Sequence, residues 1–276
     1  MRERCTVWGV LNVTPDSFSD GGDFPTVDAA VSHAVTMAEA GADIIDVGGE
    51  STRPAGADYG EGYGPVSAEA EVRRVLPVVE RLVKDHGIEV SIDTTKAEVA
   101  AAALDAGASI VNDVSGGSSD GLLDAVAARG AELVLMHNRD RGQTLSANTA
   151  YEDVVEDVLA ELLERVERAC LAGVPRAKIW IDPGIGFAKD ASQSIRLLAH
   201  TRAFVDTGHP VLVGPSRKSF ISAVAERRGF GAPTPRERLG GTAAAVTLAV
   251  VAGAAGVRVH DVAEMAQAVW VAEASR

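Results

Sequence analysis

Only two cysteines, Cys5 and Cys170, stand in 276 residues. They are too few for a disulfide framework and lack the spacing of a metal site, and they fit a reducing cytosol. Cations are outnumbered: 26 Lys and Arg against 39 Asp and Glu leave a net charge of −13. A surface of that sign repels phosphate backbones and anionic lipid, so neither nucleic acid nor a membrane is expected as a partner. An uncharged run at 240–257, rich in Ala, Gly and Thr, is not the roughly 20 strongly apolar residues of a spanning helix. It reads as a packed helix running on into a strand. The apolar part of the opening MRERCTVWGV is too short for a signal peptide, so a soluble, cytoplasmic protein is expected. No H-E-x-x-H or paired-histidine motif occurs, and His33, His86, His200 and His209 read as surface residues.

What the chain does have is apolar content, 46%, and a repeat. AEAGADIIDVG at 38–48, ALDAGASIVNDVS at 103–115, AARGAELVLMH at 127–137 and AGAAGVRVHD at 252–261 share one plan. A helix ends at Gly, which alone takes the left-handed conformation without steric cost. A short apolar strand follows, then a polar residue. Further strands read at Thr6–Asn12, Glu89–Thr94, Lys178–Asp182 and Pro210–Ser216. Helical stretches fall near 28–40, 68–85, 95–106, 152–172, 191–205 and 262–274, with Met37 and Met265 in the core. About eight βα units predict an α/β protein, a single (β/α)8 TIM barrel over 1–276, with its active site at the C-terminal ends of the strands. An open doubly wound sheet would want a Gly-rich turn after its first strand, where Thr14-Pro15-Asp16 stands instead.

Polar residues collect at the strand ends: Asn12, Asp46, Asp93, Asn112 with Asp113, His137, Asp182, Ser216, and Arg258 with His260. One Asp after a strand can simply cap the next helix, and Asp93 before Thr94-Thr95 has that reading open to it. A whole rim of Asp and Asn suits a polar heterocycle that offers both donors and acceptors. A cationic half adjoins it. VLVGPSRKSF at 211–220 places Arg217 and Lys218 where a helix should open, and Arg258 and His260, two apart on the last strand, share a face. Strands 7 and 8 flank the usual phosphate site of such barrels. The first strand runs into a long polar loop holding Asp16, Phe18, Ser19, Gly21-Gly22 and Phe24. Such length is usually functional. A loop that moves over the site is expected.

LNVTPDSFSDGG, VGGESTRP, SIDTTKAEV, VNDVSGG, DPGIGF, SRKSF and RVHDV occur in order along nearly the whole chain. This series resembles the dihydropteroate synthase family, which joins 4-aminobenzoate to a pterin carrying a hydroxymethyl pyrophosphate. The resemblance implies Mg²⁺ as cofactor, with Asn12 as its protein ligand beside the pyrophosphate. It implies a pterin site of Asp93, Asn112, Asp182 and Lys218, and a pyrophosphate site of Arg258 and His260 aided by Thr52 and Arg53. Ser219 and Pro54 would border the aminobenzoate pocket, with Phe18 closing over it. Asp46, Met136, Phe187 and Gly214 complete the implied substrate contacts. Asp93, Asp182, Lys218 and Arg53 are the implied catalytic residues, and a homodimer is the implied assembly.

The chain departs from the family pattern in three places: ADYGEGYG inserted near 57–64, NRDRGQ after Met136-His137, and Ala188 where Gly is common. Two other readings stay open at this level. One is a pterin-binding domain that passes a methyl group to a corrinoid protein. The other is a non-catalytic pterin or phosphate binder. SRKS and RVH favour an anionic leaving group over the former, and intact Asn12, Asp182, Lys218 and His260 speak against the latter.

Overall fold

The computed structural model describes residues 4–13, 23–50, 66–139 and 150–276. Along them strands and helices alternate: β1 Thr6–Asn12, α1 Asp23–Glu39, β2 Ile44–Gly48, α2 Ala68–His86, β3 Glu89–Asp93, α3 Ala97–Asp105, β4 Ile110–Asp113 and α4 Leu122–Arg129. Then come β5 Glu132–Met136, α5 Val154–Leu171, β6 Ile179–Asp182, α6 Ala191–Ala199, α7 Thr201–Val205, β7 Leu212–Val213, α8 Phe220–Arg227, α9 Leu239–Val251, β8 Gly256–Val259 and α10 Val262–Ala274. All strand pairs are parallel, in the order β6-β5-β4-β3-β2-β1-β8-β7. A parallel bridge from Ile181 to Val211 brings β6 back to β7. The expected (β/α)8 barrel is the observed one.

The repeat has the expected cause. In each repeat the glycine that follows the helix lies at positive φ, 111° at Gly41 and 61° at Gly130, where a side chain would strain the turn into the strand. Three boundaries and the placement of one histidine differ from the sequence reading. β7 shrinks from 210–216 to two residues, because Pro210 and Pro215 carry no N–H for a ladder. α1 opens at Asp23 and not near 28, and so takes Phe24 out of the preceding loop. Pro25 falls in its first turn, where no donor is required. The stretch 191–205 is two helices meeting at His200. His209 is buried and not on the surface, its Nδ1 lying 3.0 Å from the Ile179 carbonyl oxygen.

Strand side chains alternate, so each strand has an inward and an outward set. Outward residues such as Ile45, Val47, Leu133 and Val257 pack under the helices. Inward, Trp8, Ile44, Ile110, Val134, Trp180 and Leu212 form a separate buried cluster that plugs the barrel. The rings of Trp8 and Trp180 meet edge-on at 5.4 Å and 68°. Both indoles are satisfied: Trp8 Nε1 donates to Thr6 Oγ1 at 2.8 Å, and Trp180 Nε1 to Glu132 Oε2 at 2.6 Å. This plug is the floor on which the polar end of the barrel stands. Removing one large buried ring leaves a void the neighbours fill only in part. Trp8→Ala should therefore cost about 3–5 kcal/mol in urea unfolding. A loss below about 1 kcal/mol would mean that the plug does not carry the barrel.

Candidate active site

Two residues beyond the plug, the inward positions of β2, β4 and β6 turn polar at Asp46, Asn112 and Asp182. The register sets Asn12 against Gly48, Gly48 against Asp93 and Asp93 against Asn112, a row across the ends of β1 to β4. Met136 on β5 is level with Asp182 on β6. Arg258 reaches across from β8. Its Nε donates to Asp46 Oδ2 at 2.5 Å and its Nη2 to Asp93 Oδ2 at 2.7 Å, while Asn112 Nδ2 donates to the same Asp46 oxygen at 3.0 Å. Burial raises the Asp93 pKa; Arg258 opposes the rise and Asp46 adds to it. The other oxygens, Asp46 Oδ1 and Asp93 Oδ1, are buried without a donor among the described residues. A Cβ on Gly48 would stand 3.8 Å from both Asn12 Oδ1 and Asp93 Oδ2. Glycine there leaves that corner to the two polar groups.

The turns after β6 and β7 supply the other wall. Asp182 Oδ1 accepts the Gly184 N–H at 2.7 Å. Burial lifts the Asp182 pKa to about 6 against that hydrogen bond and the cations Lys218, Lys189 and Arg258. Gly184 has φ 68°, and a Cβ on it would lie 2.0 Å from the His137 carbonyl oxygen, so no other residue fits. Lys218 crosses Gly186 with its Cδ 3.1 Å from where a Cβ would be, and its ammonium lies 3.9 Å from the centre of the Phe187 ring, a cation–π distance. The Gly214 backbone runs beside Arg258, whose Cβ is 3.9 Å from the space a side chain would take. Ser216 Oγ accepts the His260 backbone N–H at 3.2 Å and lies 3.0 Å from His260 Nδ1. α8 opens directly after the exposed Ser219, as SRKSF suggested.

The structure thus brings together Asn12, Asp46, Asp93, Asn112, Met136, Asp182, Phe187, Gly214, Lys218, Arg258 and His260 at the carboxyl ends of the strands. Phe18, Thr52, Arg53 and Pro54 lie outside the described residues, as do Asp16, Ser19, Gly21-Gly22, the insertion at 57–64 and Asp140–Gln143. Some candidates from the strand ends do other work. Asp113 faces outward and accepts the N–H groups of Ser115 and Gly117. His137 also faces outward, its Nε2 3.0 Å from Glu161 Oε2. Arg217 does not join Lys218 over the strand ends; its Nε donates to Asp261 Oδ2 at 2.9 Å, and its backbone sits at φ 59°. Asp93 is no helix cap, since Lys96 holds the N-cap position of α3. Sequence pattern did not flag Lys96, whose ammonium pairs with both Glu50 and the buried Glu71. A lysine opening a helix reads as exposed, and only its partners place it inside.

Comparison with known proteins agrees with this geometry. The family model described as "Pterin binding enzyme" matches residues 8–260. The dihydropteroate synthase of Synechocystis sp. is 45% identical over 273 residues, which cover 99% of this chain and 90% of that protein. A probable bifunctional folylpolyglutamate synthase/dihydropteroate synthase of Haloferax volcanii is 48% identical over 270 residues, 98% of this chain and 30% of that longer protein. Among solved structures, the dihydropteroate synthase of Xanthomonas albilineans with 4-aminobenzoic acid has a TM-score of 0.88 at 44% identity, covering 99% of this chain and 93% of that one. A barrel whose polar row, turn after β6 and SRKS turn all coincide with the motif series therefore belongs to the pterin-binding enzymes, in the dihydropteroate synthase family.

Proposed function

We propose that the chain condenses 6-hydroxymethyl-7,8-dihydropterin pyrophosphate with 4-aminobenzoate to give 7,8-dihydropteroate and pyrophosphate. The observation that carries this reading is the pair of carboxylate oxygens, Asp46 Oδ1 and Asp93 Oδ1, that have no donor among the described residues, in a row that also holds Asn112. A buried acceptor without a donor costs about 1–3 kcal/mol. A flat heterocycle with several N–H groups supplies donors there, and Asn112 and Lys218 can donate to its ring oxygen and nitrogens.

In the reaction the methylene C–O bond to pyrophosphate breaks, and its electron pair leaves with the pyrophosphate oxygen. The amine nitrogen of 4-aminobenzoate forms the C–N bond and releases one proton to solvent. Positive charge spreads from the methylene into the pterin ring as the bond breaks. Asp93 and Asp182 are placed to stabilise it. Arg258 and His260, on β8 and at its end, are assigned to the anionic side. Anion-binding groups on that side favour pyrophosphate departure over methyl transfer. Thr52 and Arg53 are assigned to the same anion, and Phe18, Pro54 and Ser219 to the aminobenzoate, from their motifs.

Mg²⁺ fits through Asn12. Its carboxamide oxygen is a hard donor beside Asp93 at the open end of the barrel, and Mg²⁺ commonly takes one or two protein oxygens together with substrate phosphates. When bound it would neutralise charge on the leaving group. We also assign the assembly as a homodimer. Leu248 and Val251 on α9 and Trp270 and Val271 on α10 are 57%, 53%, 53% and 70% exposed. The two helices pack together, so these side chains give a second copy an apolar face to cover.

Four outcomes check these assignments. Lys218→Ala and Asp182→Ala should each weaken binding of 6-hydroxymethylpterin by about 2–5 kcal/mol in calorimetry, the cost of truncating one partner of a buried charged contact, with circular dichroism unchanged; unchanged affinity removes the residue from the pocket. Titrating Mg²⁺ into the protein alone should give no stoichiometric heat, and adding pyrophosphate should create it. Tight binding of Mg²⁺ alone contradicts the assignment through Asn12 and substrate. Sedimentation at micromolar protein should show a dimer that Trp270→Glu splits; a monomer in both samples refutes the dimer. Release of pyrophosphate from the pterin substrate only when 4-aminobenzoate is present tests the activity itself.

A further inference from the structure

One buried cation of the barrel's polar end, outside the motif residues assigned to the site, lies behind the pterin wall. Lys189 is 3% exposed. Its ammonium lies 2.9 Å from His137 Nδ1, 2.8 Å from the Phe187 carbonyl oxygen and 3.4 Å from the His137 carbonyl oxygen. An ammonium has three N–H donors, and these are three acceptors, provided that His137 is neutral with its proton on Nε2. That condition holds. Burial pushes the His137 pKa down to about 4, and Nε2 faces Glu161 Oε2 at 3.0 Å, a carboxylate kept ionised by that hydrogen bond.

The cage fastens the turn after β6 to the end of β5. His137 N donates to the Asp182 carbonyl oxygen at 2.8 Å, and Gly184 is pressed on the His137 carbonyl. Phe187 N closes the turn onto the Gly184 carbonyl at 3.0 Å. Tyr151 Oη holds the next carbonyl, that of Ala188, at 3.0 Å, and Ala188 sits at a left-handed φ of 48°. This turn carries Asp182, the backbone under the Lys218 stem, and the ring under the Lys218 ammonium.

We infer that Lys189 is a positioning residue for catalysis: its buried ammonium holds the 182–188 turn so that Asp182, Phe187 and Lys218 face the pterin, and it acts as an inner counter-charge to Asp182. The inference rests on the proposed pterin site. The charged groups around it are fixed. Asp182 and Glu161 favour the ammonium, Arg165 and Arg139 disfavour it, and burial brings its pKa to about 7. Around Asp182 stand Lys218, Lys189 and Arg258. Deleting Lys189 removes one of the cations that hold the Asp182 pKa down. Since pterin binding needs the carboxylate, affinity should then fail at a higher pH on the acid side.

The test is Lys189→Met, with 6-hydroxymethylpterin as the probe. Binding by the unaltered protein establishes the pterin site first, so its absence would count against that reading and not against Lys189. The variant should bind about tenfold more weakly, the scale of a lost charged hydrogen bond. The acid midpoint of binding should rise by about half a pH unit, a shift of the size one removed charge gives. A change in melting temperature with affinity and acid midpoint intact would overturn the inference, because a purely structural lysine predicts that. Should Lys189→Met not fold, Tyr151→Phe decides: it keeps the ring and removes one tie to the same turn. It should weaken binding about threefold, the lower end for one neutral hydrogen bond; unchanged affinity overturns the inference.

Discussion

The polar end of this barrel depends on one guanidinium. Arg258, on β8, joins Asp46 on β2 to Asp93 on β3, two buried carboxylates. Without the cation, one of them would have to take up a proton to stay buried. With it, the rise that burial gives the Asp93 pKa is opposed, and among the described residues Asp46 and Asp93 each still keep an oxygen without a donor. Such a trio is a poor source of stability, because desolvating the charges offsets much of their attraction. It is a good source of readiness. The folded chain already holds the unmet acceptors that a donor-rich ligand satisfies.

Chemistry and stability are separated here by a step of two residues. Trp8, Ile44, Ile110, Trp180 and Leu212 fill the barrel. Two residues further, β2, β4, β6 and β7 reach Asp46, Asn112, Asp182 and the Gly214 backbone, while on β1 Asn12 lies four residues beyond Trp8. The residues between them face the helices. A strand of four or five residues can therefore serve the outer core, the plug and the site at once. The Trp8–Trp180 contact forms the last rigid layer beneath the substrate groups.

Much of this was legible in the sequence. The repeat of helix, Gly and apolar strand specified the barrel, because left-handed glycine and parallel buried strands leave few alternatives. Strand-end Asp and Asn named the row of Asn12, Asp93 and Asn112, because alternation fixes which side of a strand faces inward. Parity also explains the failures. Asp113 and His137 follow inward residues and so face outward. Arg217 was misplaced because its positive φ turns it toward Asp261, and nothing in S-R-K announces that conformation. Lys189 gave no signal either. A lysine before Asp190, which opens α6 with a capping box, reads as solvent-exposed, and its burial comes from Tyr151, His137 and Glu161, distant in sequence. Long-range pairing is what a local pattern cannot carry.

The seam between β6 and β7 is the least stitched in the barrel. β7 is two residues long, and an isolated bridge between Ile181 and Val211, made in part by Ile181 N donating to the Pro210 carbonyl, ties it to β6. The other neighbouring pairs along the sheet share registered ladders. Amide exchange follows local opening, and opening begins where few backbone bonds must break. Asp182 and Lys218 stand on either side of this seam. A bound pterin that touches both would act as the missing rungs of the ladder, and the barrel would be a more complete cylinder with its substrate than without it.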